Sequence, residues 1–192
     1  MQGRGRDDMK EIAIGRSRFQ FVVGDITAQD TEAVVNAANS RLAPGGGVAG
    51  AIHRAAGPGL WEECRKLGGC ATGEAVISGG YDLPNRYVIH TVGPVYSGSA
   101  DDPVLLRSCY LSSLRLADKQ NIKSISFPAL STGIFGYPVD QAAYVAVKTI
   151  RQYLLGATAI ETVRMVLYND EVFQGHLSAL DVLKCRWESG LT

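Results

Sequence analysis

The chain has 192 residues, of which 46% are hydrophobic and 20% charged, the size and composition of one globular domain with a full core. Its 19 Lys and Arg balance 19 Asp and Glu, for a formal net charge of zero. That balance argues against a non-specific nucleic-acid binder, which carries a basic surplus.

In chain order, the first ten residues are polar and Gly-containing, with no apolar segment of the kind that targets secretion. Residues 1–18 read as an N-terminal tail with a possible edge strand. "FQFVVGDI" (19–26) is rich in β-branched and aromatic residues and reads as a strand; "EAVVNAAN" (32–39) is a short buried strand entering a polar turn. Residues 48–56 put Val48, Ala51, Ile52 and Ala55 on one helical face. "GEAVISGG" (73–80) and "RYVIHTVGP" (86–94) are the next strands. A helix from Pro103 to about Asn121 carries Leu106, Cys109, Tyr110, Ser113 and Ala117 at helical spacing. "KSISFPAL" (123–130) is a strand, and a helix over 138–155 carries Val139, Ala142, Ala143, Ala146, Val147 and Ile150. "ETVRMVLYN" (161–169) is the last strand, and Asn169, Asp170 and Glu171 open a C-terminal helix as a cap and an acidic first turn. The alternation predicts an α/β sandwich of three layers, with a mixed, largely parallel sheet between helices. No apolar run is long enough to cross a bilayer.

In such sheets ligands sit at the carboxyl ends of strands, where loops enter helices. Two of those loops are Gly-rich. "PGGGVAGAIHRAAGP" (44–58) puts Gly45, Gly46 and Gly47 before a helix, and "STGIFGYP" (131–138) puts Ser131, Thr132, Gly133, Ile134 and Phe135 before another. Neither holds the lysine of a P-loop or the dinucleotide fingerprint. Two lysine-free Gly loops on one rim point to two linked phosphates held by backbone N–H groups, with the Ser131 and Thr132 hydroxyls as further donors. Asp25, after an apolar strand, reads either as a helix cap or as an acceptor for an exocyclic amine such as that of adenine. Tyr168 fits a core aromatic or a face for a purine. Phe135 reads as a cover for a ligand, and Asn39 as a ribose contact or a turn residue. His53 and His90 lack the second ligand of a metal site and read as structural; His176 reads as a solvated helix residue. Cys64, Cys70, Cys109 and Cys185 form no C-x-x-C pair and read as reduced thiols of a cytoplasmic protein. Arg41 and Arg54 flank the first Gly loop as surface charges.

Six segments together resemble the macrodomain family, most closely its MacroD-type branch: residues 23–27 (VGDIT), 35–39 (VNAAN), 45–48 (GGGV), the "AIHRAAGP" helix, 90–94 (HTVGP) and 131–138. The resemblance covers about residues 19–184 and implies one macrodomain over 19–185, followed by a tail over 186–192. It implies binding of ADP-ribose or an ADP-ribosylated protein, no cofactor and no metal, and hydrolysis of ADP-ribosyl esters on Asp or Glu, of O-acetyl-ADP-ribose or of ADP-ribose 1''-phosphate. By matching position, Asp25 would hold the adenine amino group and Ile26 add a backbone contact. Gly45, Gly46, Gly47 and Val48, with Ser131, Thr132, Gly133, Ile134 and Phe135, would clasp the diphosphate and distal ribose. Asn39 would bind that ribose, Phe135 cover it, and Tyr168 lie beside the adenine. One position departs. The branch usually reads G-G-G-V-D, with that acid implicated in hydrolysis, and here the acid is replaced by Ala49. Three readings stay open: a reader without turnover, slow substrate-assisted hydrolysis aided by Asn39, or an acid removed on purpose to trap a ligand.

Overall fold

The computed structural model describes residues 9–188, so residues 1–8 of the expected tail and residues 189–192 lie outside the described part. The strands are β1 (Lys10–Ile14), β2 (Ser17–Val23), β3 (Ala33–Ala37), β4 (Ala75–Gly79), β5 (Tyr87–Thr91), β6 (Ser124–Phe127) and β7 (Thr162–Leu167). The helices are α1 (Gly47–Ala56), α2 (Pro58–Leu67), α3 (Asp102–Lys119), α4 (Val139–Leu154) and α5 (Asp170–Glu188), with a short 3-10 turn at Ile26–Ala28. The strands form one sheet in the order β1-β2-β7-β6-β3-β5-β4. The five central strands run parallel, and β1 and β4 close the two edges antiparallel to their neighbours. The mixed, largely parallel sandwich expected from the alternation is the fold observed.

Period-two alternation explains the two layers of core. On β3, Val34 packs toward α1 and α2, among Ile52, Leu60 and Val88, while Val35 faces the opposite core. Val88 and Ile89 on β5, and Val166 and Met165 on β7, divide in the same way. The helices α3, α4 and α5 cover the second face with Leu106, Tyr110, Ala143, Val147 and Leu180. Asn169 Oδ1 accepts from the Val172 N–H at 2.9 Å, the cap that starts α5.

β1 falls within the residues read as a tail with a possible edge strand, and holds one buried residue, Ile14, because an edge strand is half solvated. Two elements escape the sequence pattern. α2 starts at Pro58 after Gly57 and buries only Leu60 and Cys64, too few to mark a period. The 3-10 turn is too short for a period of its own. Of the stripe expected on α1, Ile52 is fully buried and Val48 and Ala55 pack half-buried against the same core, where Ala49, His53 and Ala56 are buried too; Val48, Ala49 and Ala51 also line a cleft. His176 is the clearest correction. It is 1% exposed, not solvated, with Nδ1 bonded to the Val172 carbonyl at 2.8 Å.

Candidate functional site

β3 leads into α1 on one face of the sheet, and the adjacent β6 leads into α4 on the other. Neighbouring strands whose connections part in this way open a crevice at their carboxyl ends. A cleft of about 690 Å³ lies there. The structure places every site residue read from the sequence on its walls: Asp25, Ile26, Asn39, Gly45, Gly46, Gly47, Val48, Ala49, Ser131, Thr132, Gly133, Ile134, Phe135 and Tyr168.

The first Gly loop is locked from behind. Asn39 Oδ1 accepts from Arg41 N (3.2 Å) and Ala43 N (3.0 Å), and its Nδ2 donates to Ala43 O at 2.8 Å. The Asn39 side chain therefore organises its own loop and leaves one Nδ2 hydrogen without an acceptor among the described residues. Gly47 has φ +53°, the left-handed region that favours glycine, and nothing within 4 Å of where a Cβ would sit. Gly50, one turn into α1, is fixed by close approach instead, since a Cβ there would overlap the Gly45 carbonyl oxygen. The N–H groups of Gly45, Gly46, Gly47 and Val48 have no acceptor among the described residues.

The second loop is tied by Gly136 N to Gly133 O (2.9 Å), Tyr137 N to Ser131 O (3.0 Å) and Tyr96 N to Phe135 O (2.9 Å). Those bonds leave the N–H groups of Thr132, Gly133, Ile134 and Phe135 without acceptors among the described residues. Its hydroxyls, expected as donors, turn inward. Thr132 Oγ1 donates to Ala129 O at 2.9 Å, and the buried Ser131 Oγ packs against Gly93 without a partner. Ser131 holds φ +64°, a strained value for a residue with a Cβ. Ile134, 85% exposed, leans across to the first loop, its Cδ1 3.2 Å from where a Cβ on Gly46 would sit.

At the other end of the cleft, Asp25 caps the 3-10 turn. Its Oδ1 accepts from both the N–H and the hydroxyl of Thr27 at 2.8 Å. Both bonds use one oxygen, so Oδ2 is left over, and the two functions weighed for this acid are compatible in geometry. Tyr168, 61% exposed, closes that end. Ala49 lines the wall beside the first loop, 5% exposed and without polar atoms in its side chain. Ala37, Ala38, Pro128, Ala129 and Val166 also line the cleft. No residue reading finds them, because small apolar residues look alike in a strand end and in a ligand wall.

The nearby nucleophiles and titrating groups stay inert. Burial pushes the Cys64 thiol up to about 11, and the adjacent Glu63 charge adds to this. The His90 ring is held below the usual imidazole range, at about 3, chiefly by burial. It bridges Asn36 Nδ2 (3.1 Å) and Ser78 Oγ (2.8 Å). An amide nitrogen can only donate, so His90 Nδ1 accepts and Nε2 carries the proton. Among the described residues no group of three or more His, Cys, Asp or Glu could hold a metal ion, and no helix is long and apolar enough to cross a membrane.

Comparison with known proteins places this architecture. The Macro domain family model matches residues 35–146, a span that includes the whole first Gly loop and the second. A macro domain-containing protein of Chlorobaculum tepidum is 52% identical over 162 residues, which is 82% of this chain and 94% of that one. The "ADP-ribose glycohydrolase MACROD2" of Homo sapiens is 54% identical over 163 residues, 80% of this chain but only 38% of that longer protein. Among solved structures, a mutant of the Oceanobacillus iheyensis macrodomain with ADPR superposes with a TM-score of 0.88 at 39% identity, over 91% of this chain and 98% of that one. The matched span takes in both Gly loops, and the relatives cover most of the chain at more than half identity: the chain belongs to the macrodomain family, in its MacroD-type branch.

Proposed function

We propose that this chain binds ADP-ribose in the cleft and hydrolyses ADP-ribosyl esters there, slowly because of Ala49. The observation that carries the reading is the convergence on one cleft of two loops, each with four backbone N–H groups lacking acceptors among the described residues, with the capping carboxylate of Asp25 at the far end. Oriented backbone dipoles hold a diphosphate without adding a cation. The Asp25 Oδ2 accepts from the adenine amino group, the Ile26 N–H meets a ring nitrogen, and Tyr168 lies beside the base. The second loop carries Phe135 over the distal ribose, and the remaining Asn39 N–H donates to a ribose hydroxyl. The substrates are ADP-ribose joined by an ester to Asp or Glu of a protein, or O-acetyl-ADP-ribose. Water adds across the ester, and the products are the free carboxylate and ADP-ribose. With alanine at position 49, a substrate phosphate oxygen is the group left to orient that water. The relatives named as ADP-ribose glycohydrolases support the enzymatic reading.

A second reading, a module that recognises ADP-ribose without turnover, is favoured by Ala49 itself, which can neither accept a proton nor position water. Titration calorimetry and melting with ADP-ribose test the shared claim. A ligand present at ~100 times its Kd adds about 2.7 kcal/mol to the folded state, so a clear rise in Tm is expected. No heat and no shift at high protein concentration would remove both readings together.

A further inference from the structure

Behind Asp25 lies a polar relay that the ligand cleft does not itself explain. Gln29 Nε2 donates to the Asp25 carbonyl at 2.7 Å, and Arg164 Nη1 donates to Gln29 Oε1 at 3.0 Å. Arg164 also donates to Asp30 Oδ1 (2.7 Å) from Nη1 and to Gln20 Oε1 (2.9 Å) from Nε. The Gln29 main chain is fixed as well, its carbonyl accepting from Asn85 Nδ2 at 3.0 Å. A guanidinium only donates, so the Gln29 amide oxygen must face it and the amide nitrogen must face Asp25. The orientation of this amide is set by chemistry rather than by choice.

The Asp25 carbonyl belongs to the peptide plane whose other end is the Ile26 N–H. In a trans peptide the two point in opposite directions. The Asp25 carbonyl also accepts from the Ala28 N–H of the 3-10 turn at 3.2 Å, and the shorter Gln29 bond adds the side-chain hold. Fixing the oxygen in this way aims the N–H away from it, and Ile26 lies on the cleft wall. The same plane sets where the Asp25 side chain departs. We propose that Gln29, held by Arg164, is a positioning residue for base selection, fixing the edge that reads the purine. This rests on the reading that the cleft takes ADP-ribose with Asp25 on adenine. That edge offers an acceptor for the exocyclic amine and a donor for the unprotonated ring nitrogen beside it. Inosine diphosphate ribose presents the reverse, a carbonyl and a ring N–H, and is rejected at both atoms.

The test compares the affinities of ADP-ribose and inosine diphosphate ribose, by calorimetry, for the unaltered chain, Asp25→Ala, Gln29→Glu and Gln29→Ala. Gln29→Glu keeps the length and the Arg164 bond but faces the Asp25 carbonyl with an acceptor. The unaltered chain prefers ADP-ribose, Asp25→Ala removes most of that preference, and each Gln29 variant lowers it about tenfold, the loss of roughly one hydrogen bond. A purely structural role would lower Tm and weaken both ligands equally, leaving the ratio intact. A ratio removed by Asp25→Ala but kept in both Gln29 variants overturns this inference alone. A ratio that Asp25→Ala leaves unchanged overturns the base reading and this inference with it. Should Gln29→Glu fail to fold, Gln29→Ala carries the comparison.

Discussion

On the proposed reading, Ala49 is the residue that limits turnover. It sits in the first turn of α1, 5% exposed, on the cleft wall next to the loop of unpartnered N–H groups. None of the groups proposed to hold adenine or diphosphate belongs to it. Ala49→Asp should therefore leave ADP-ribose affinity within a few-fold, any repulsion by the diphosphate being partly offset by the positive end of the helix. It should raise hydrolysis of a mono-ADP-ribosylated glutamate substrate by about 10²–10⁴-fold, the range for a positioned general base. A single-turnover assay on both proteins reads this directly. Normal binding with an unchanged rate would assign the chemistry to the substrate-assisted route or leave a reader. At this scale the sequence was most legible where residue type is rare in its setting: an acid after an apolar strand, an aromatic in a Gly loop. It was least legible where partners lie far along the chain, as for Gln29, whose relay to Arg164 spans 135 positions.

At the scale of elements, the site is a property of how α1 meets its loop. The helix must come close enough to the Gly45 carbonyl that Gly50 can carry no Cβ. Small residues at 49 and 50 let the backbone press inward, and Val48, half-buried against the core beside Ile52, lines the cleft together with Ala49 and Ala51. A hydrophobic count reads Val48 as core and has no signal for the cleft that it also lines. Gly50→Ala should then do two things. Overpacking of this kind costs about 1–3 kcal/mol, seen as a lower urea midpoint. The displaced Gly45 should also weaken ADP-ribose by more than a similar loss of stability elsewhere does. Equal affinity in a destabilised Gly50→Ala protein would mean that the loop adjusts without its helix, and the coupling argued here would fall. The order of strands was beyond the alternation, which predicts layers but not that β7 and β6 come between β2 and β3.

At the scale of the whole molecule, three buried histidines have their rings held below the usual imidazole range by burial. His90 and His176 are held at about 3 and about 4, both chiefly by burial, and burial also lowers His53. Among the described residues His176 Nε2 has no partner, and the His53 ring has at most a weak contact with the Leu42 backbone, which opposes the shift. Each group is released to its ordinary value near 6.5 on unfolding. Below that pH the unfolded chain takes up protons that the folded chain refuses, so stability is full above about 6.5 and falls as pH drops toward the folded values. A group whose folded value lies well below the pH contributes about 1.4 kcal/mol per pH unit, so His90 and His176 together contribute about 3 kcal/mol per unit, and His53 acts in the same direction. Asp30, lowered by Arg164, and Asp102, lowered by the Ser97 N–H, work in a different window. Their stabilisation persists until pH falls through their own lowered values, below the ordinary carboxylate range, so they do not mask the histidines. Stability should therefore fall measurably between pH 6.5 and 4.5. Urea midpoints across that interval measure it. His176→Leu keeps the volume, leaves the Val172 carbonyl to its helix, and removes one proton from the difference, so its slope against pH should be shallower than that of the unaltered chain. A midpoint independent of pH between 7 and 4.5 would mean that water or rearrangement admits the charge, and that these rings are not held neutral by the core.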